Sequence, residues 1–228
     1  MKKSKPVIVI LSAPSGAGKT TIAQELVKQR KDVGFSVSAT TRARRQGERD
    51  GKAYHFIARQ RFEELKEQGD FLECAQYAGA WYGTLRSEIK RVHDLDRHVL
   101  LDIEIQGARQ VREAYPWPQS VSIFVLPPSP AELLKRLRRR KSESQQSLIT
   151  RLETATQELI DATSFNYIVI NDKLQKAVAR VGWIIDAEAQ RTARNVDLRE
   201  QLDGMSSYLK EQLVILEGKL SKKVKALT

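Results

Sequence analysis

A chain of 228 residues with 41% hydrophobic and 29% charged side chains has the balance of a globular domain with a sizeable core, and its length suits one domain plus an appendage. No apolar run approaches the roughly 18–20 residues that span a bilayer, and Cys74, the only cysteine, excludes an intramolecular disulfide and fits a reducing cytoplasm. A net charge of +11 favours polyanionic partners.

Met1-Lys2-Lys3 followed by apolar residues 7–11 loosely mimics a signal peptide, but the apolar run is too short and a glycine-rich loop follows at once. Residues 7–11, VIVIL, read instead as a buried strand. Residues 20–31 carry the spacing of an amphipathic helix. Further strands are expected at 35–40, 54–57, 71–77, 98–103, 121–126 and 167–170. Helices are expected at 61–68, 87–93, 107–114, 130–140, 144–160 and 173–188. This alternation predicts an α/β domain on a mainly parallel sheet, and the strands between 35 and 82 predict a small β-rich insertion.

Between the first strand and the first helix lies Ala13-Pro14-Ser15-Gly16-Ala17-Gly18-Lys19-Thr20. Glycines let successive backbone N–H groups turn inward around phosphate oxygens. The lysine reaches the terminal phosphates, the threonine hydroxyl ligates Mg²⁺, and the helix aims its positive end at the anion. Ala13 replaces the usual first glycine, but the strand–loop–helix context is the one the mechanism requires. The basic residues then acquire a purpose. They gather at Arg42, Arg44 and Arg45 and in residues 135–141, KRLRRRK, and neither group has the interleaved aromatics of a nucleic-acid surface.

The P-loop is accompanied by SVSATTRARRQGERDGKAYHF (36–56), FLECAQYAGAWYGT (71–84), LLDIEIQGARQVR (100–112), VLPPS (125–129) and VIND (169–172). On these motifs the chain, from 6 to 189, bears a resemblance to the guanylate kinase family. The resemblance implies a P-loop nucleoside monophosphate kinase: a parallel-sheet core, a β-rich GMP-binding insertion at about 36–84 and a helical lid at about 135–155, all within residues 5–189. The implied reaction moves the γ-phosphoryl group of ATP onto GMP, or dGMP, with Mg²⁺. Arg42, Arg45, Tyr54 and Tyr82 would hold the GMP phosphate, as guanidinium forks and phenol donors can. Ser38 and Glu73 would read guanine, with Gly83, Thr84 and Glu104 completing the pocket. Ala13 to Thr20, with Thr21, would bind ATP, and Asn171 and Asp172 would border its adenine. Thr20 and Asp102 would attend the metal, partly through water, and Lys19, Arg42, Arg136, Arg140 and Arg151 would be the catalytic cations. Arg44, Arg139, Lys141, Gln145 and Gln146 depart from the family pattern and make the pocket rim and lid more basic. Asp102 and Glu104 stand in the reverse of the common Glu-Ile-Asp order.

Three rivals stand beside this reading. A non-catalytic binding module would not need Lys19, Thr20 or the lid arginines. A kinase for another small phosphorylated acceptor would have no use for Ser38 and Glu73. A nucleic-acid binder rests on charge alone. His55, His93 and His98 have no metal spacing and are given no chemistry. Residues 190–228 form a C-terminal helical extension with apolar residues at Leu198, Leu202, Met205, Leu209, Leu213, Leu216, Leu220, Val224 and Leu227. A stripe with that period must be buried on something; the favoured occupant is a second subunit, and packing on its own domain is the alternative.

Overall fold

The computed structural model describes residues 6–77, 79–138, 145–195 and 197–225. Arg140 lies outside them, as do Arg139, Lys141 and Leu227, and Leu220 and Val224 are described in backbone only. Strand β1 (Ile8–Ser12) is buried along its whole length. Its alternating side chains split between two cores: Val7, Val9 and Leu11 face one side, Ile8 and Ile10 the other. That burial on both faces is why the run is uninterruptedly apolar.

Helix α1 (Lys19–Gln29), strand β2 (Val33–Phe35) and β3 (Ala39–Thr40) follow. One strand was expected over 35–40; the structure divides it between two sheets, with Ser36 to Ser38 carrying the chain across. Next come β4 (His55–Phe56), α2 (Arg59–Glu67), β5 (Phe71–Tyr77) and β6 (Ala80–Leu85). The reading by periodicity missed β6, which pairs antiparallel with β5. Helix α3 (Arg86–His93), strand β7 (His98–Asp102), α4 (Ile105–Ala114), β8 (Ser120–Leu126), α5 (Pro130–Arg138), α6 (Gln145–Ile160), β9 (Tyr167–Ile170) and α7 (Leu174–Ala189) complete the first unit.

Among the described residues the central sheet is parallel, in the order β2-β7-β1-β8-β9. Because β1 lies in the middle with crossovers to both sides, the carboxyl end of β1 is where a ligand crevice opens. The smaller sheet runs β4-β3-β6-β5, and α2 closes it by stacking Phe62 on Phe71 at 4.4 Å. The chain divides into two compact units, Pro6–Ala189 and one holding the segment from Gln190 onward. The second contains helix α8 (Leu198–Lys225).

Candidate active site

The loop after β1 enters α1 through Gly18, whose φ of +92° only glycine adopts readily. No side chain caps this helix and its first turn holds no acidic residue, so the positive end is left for an anion. The carbonyl of Ala17 is held from behind by Asn171 Nδ2 at 2.8 Å and Arg136 Nη1 at 3.2 Å. A Cβ on Gly18 would stand 2.5 Å from Asn171 Nδ2, so the bracing amide and the glycine require each other.

Register places Asp102, the last residue of β7, beside Leu11 at the root of the loop. Lys19 Nζ donates to Asp102 Oδ1 at 2.9 Å and to the Ile103 carbonyl at 2.6 Å, tying loop to strand. Helix α6 reaches the same loop with two side chains seven residues apart, two helical turns along one face. Arg151 Nη2 donates to Ser15 Oγ at 3.1 Å, and the Ser15 N–H donates to Glu158 Oε2 at 3.1 Å. Burial pushes the Glu158 carboxyl above the usual carboxylate range, opposed by the Ser15 N–H.

The smaller sheet supplies the other wall. Glu73 is buried, and Thr84 Oγ1 donates to its Oε1 at 2.6 Å. Desolvation pushes the Glu73 carboxyl up to about 7; the Thr84 hydrogen bond opposes this and the Glu104 charge adds to it. Glu104 itself caps α4, its carboxylate accepting the N–H groups of Gln106 at 2.9 Å and Gly107 at 2.7 Å. From that position its charge acts on the Glu73 carboxyl. Gly107 lies so close behind Glu73 that an added Cβ would strike its carboxylate.

Arg42 donates to both oxygens of Glu48, at 2.8 and 3.1 Å, and its Cζ lies 5.4 Å from the Tyr54 ring. Tyr54 packs edge-on to Tyr82 at 5.7 Å, and burial with the nearby Asp102 charge raises its hydroxyl to about 12. The Arg45 N–H also donates to Glu48, at 2.8 Å.

These two walls face one cleft of about 1330 Å³. Ala13, Pro14, Ser15, Gly16, Gly18, Lys19, Thr20 and Thr21 line it from the loop side. Ser38, Arg42, Arg45, Tyr54, Glu73 and Tyr82 line it from the sheet, with Asp102, Glu104 and Arg151 between. Six expected residues in the described chain do not line it. Ala17 offers its carbonyl to the rear, Gly83 packs against the Phe71 ring, and Thr84 is fully buried behind Glu73. Asn171 and Arg136 brace the loop from behind, with Arg136 also on the Asn171 carbonyl at 3.3 Å and on Glu132 at 2.9 Å. Asp172 also falls outside the lining and pairs with Arg180 at 3.3 Å. Sequence reasoning missed Glu48, Glu158 and Gly107. Glu158 carried a signal, lying seven residues after Arg151 on one predicted helix.

A parallel sheet, a glycine loop leading into a helix N-terminus with no side-chain cap, and a second polar wall lining the same cleft define a P-loop nucleotide kinase. The guanylate kinase family profile matches residues 3–188. The guanylate kinase of Desulfitobacterium hafniense is 42% identical over 194 residues, 85% of this chain and 96% of its own. That of Nitrosospira multiformis is 43% identical over 196 residues, 86% and 92% of the two chains. A crystal structure of guanylate kinase from Anaplasma phagocytophilum superposes with a TM-score of 0.72 at 34% identity, covering 89% of this chain and 96% of that one. The chain belongs to the guanylate kinase family.

Proposed function

We propose the following division of labour for the ATP-dependent conversion of GMP to GDP that membership of this family brings. Lys19 and the N–H groups of the loop hold the ATP phosphates, and Arg42, Arg45, Tyr54 and Tyr82 hold the GMP phosphate across the cleft. Glu73, fixed by Thr84, accepts from guanine N1–H and the 2-amino group, with Ser38 beside it. An oxygen of the GMP phosphate attacks the γ-phosphorus, the bond to the β-phosphate oxygen breaks, and ADP leaves. No protein base is required, because the attacking oxygen is already anionic. The enzyme's work is alignment and charge stabilisation in a site that excludes water.

Thr20 and Asp102 fit Mg²⁺ by donor chemistry: a hydroxyl and a carboxylate, hard oxygen ligands suited to an ion that keeps several waters. Once bound with ATP, the ion would neutralise charge on the phosphate oxygens. Arg136, Arg140 and Arg151 would complete the cation set when the lid closes. Arg136 would first have to leave Ala17 and Asn171.

The observation that carries this reading is Glu73, held from behind by Thr84, lining the same cleft as the P-loop. Phosphorus NMR of ATP, GMP and Mg²⁺ with the enzyme tests it: ADP and GDP should appear in equal amounts, and Lys19→Ala should slow the appearance of both by about 10²-fold or more. Equal turnover by that variant would remove the loop from the mechanism. The reading also places the enzyme in the cytoplasm, in keeping with its lone, half-buried cysteine. It makes α8 a subunit contact.

A further inference from the structure

Helix α8 holds an apolar stripe that the chain leaves in the open: Leu202, Met205, Leu209, Leu213 and Leu216 each expose more than half their surface. Side chains of this kind on one helical stripe are a binding face when they occur together. The spacing is regular. Leu198, Leu209 and Leu220 recur every eleven residues, as do Leu202, Leu213 and Val224, and Met205 and Leu216. Three apolar positions per eleven residues is a period of about 3.67, close to the natural period of a helix, so two such helices can run together nearly straight or with slight right-handed coiling.

The same stripe is close to its own mirror image in sequence. Reversed about the midpoint of Gln212 and Leu213, Leu209 falls on Leu216, Met205 on Leu220 and Leu198 on Leu227, and Leu202 falls one residue short of Val224. Charge is arranged to match. Residues 197–211 hold four acidic and two basic side chains, and residues 212–225 hold four basic and one acidic. Under that reversal Glu200 falls on Lys225, and Asp203 on Lys222, next to Lys223. A parallel pair would instead set the lysines beside their own copies, which repel.

We propose that α8 is an antiparallel self-pairing helix, and that its partner is α8 of a second copy of this chain. This rests on the reading of α8 as a subunit contact and adds its orientation and register. An isologous contact of this kind closes on itself and yields a dimer rather than a filament.

Charge reversal tests it on the full chain, with kinase activity per subunit as the check on folding. Sedimentation velocity at tens of micromolar should show a dimer for the unaltered protein. Lys222→Glu, Lys223→Glu and Lys225→Glu together should shift it to monomer, as should Glu200→Lys with Asp203→Lys. All five changes combined should restore the dimer. An unaltered protein that is monomeric overturns both the subunit contact and its orientation. A dimer that ignores both charge sets, or a fivefold variant that stays monomeric, overturns the antiparallel pairing alone.

Discussion

The Ser15 N–H donates to the Glu158 carboxylate, so a side chain from α6 occupies the rim of the loop expected to receive phosphate. An anion held there must respond when a triphosphate arrives, either by leaving or by taking a proton. Burial already raises the Glu158 carboxyl, and a nearby phosphate raises it further. ATP binding below neutral pH should therefore be accompanied by proton uptake. Calorimetry in buffers of different ionisation enthalpy should show uptake by the unaltered enzyme and a smaller value in Glu158→Gln. Equal uptake in the two proteins would mean that Glu158 does not sense the nucleotide.

Lys19 bridges the loop to Asp102 and Ile103. On the proposed assignment its loss removes a cation from the ATP phosphates, and it leaves Asp102 without that ion pair. Lys19→Ala should lower kcat by about 10²-fold or more, the range seen when one preorganised charge stabiliser is removed. GMP affinity should hold, since GMP rests on the other wall. Retention of more than about a tenth of kcat, a penalty under roughly 1.4 kcal/mol, would contradict the assignment.

The elevated Glu73 gives two pH effects with opposite practical meaning. Guanine recognition needs the ionised carboxylate, so GMP affinity in the unaltered enzyme should weaken as pH falls below about 7. Titrating Glu73→Gln in parallel cancels the ionisation of GMP's own phosphate. Stability runs the other way. Unfolding lowers the carboxyl from about 7 to its ordinary value of 4.5, so the native state binds the extra proton, and stability declines as pH rises between those values. Thermal melts should show this slope in the unaltered protein and a shallower one in Glu73→Gln.

Gly107 backs the same carboxylate, with no space for a Cβ. Gly107→Ala should displace Glu73 and cut kcat/KM for GMP by roughly tenfold or more, about 1.4 kcal/mol, while leaving KM for ATP near its original value. Steady-state kinetics varying each substrate in turn would show it. A rise in both KM values would point to general loosening instead.

How much of this was legible in the chain depended on how local the cause was. The strand–loop–helix at Val7 to Gln29 is specified by adjacent residues, and it folds as read. Strand β6 escaped because AWYGTL lacks alternation; its pairing with β5 across a short turn, a contact between segments, makes it a strand. Ser38, Glu73 and Tyr82, expected through resemblance, line the cleft, whereas Glu48 and Gly107 act through contacts that no spacing announces. Asn171 makes a contact that its motif did not announce. Its motif suggested the nucleotide edge, and its side chain turns to the carbonyl of Ala17.

The central claim is that Glu73 makes this P-loop enzyme selective for guanine. A coupled assay of ADP release against GMP, AMP, CMP and UMP, run on the unaltered enzyme and on Ser38→Ala with Glu73→Gln, tests it most directly. A buried carboxylate left facing a base without N1–H and 2-amino donors should reject AMP by roughly 10⁴-fold in kcat/KM, and the double variant should lose most of that ratio. A ratio unchanged by the two substitutions, or fast turnover of AMP by the unaltered enzyme, would contradict it.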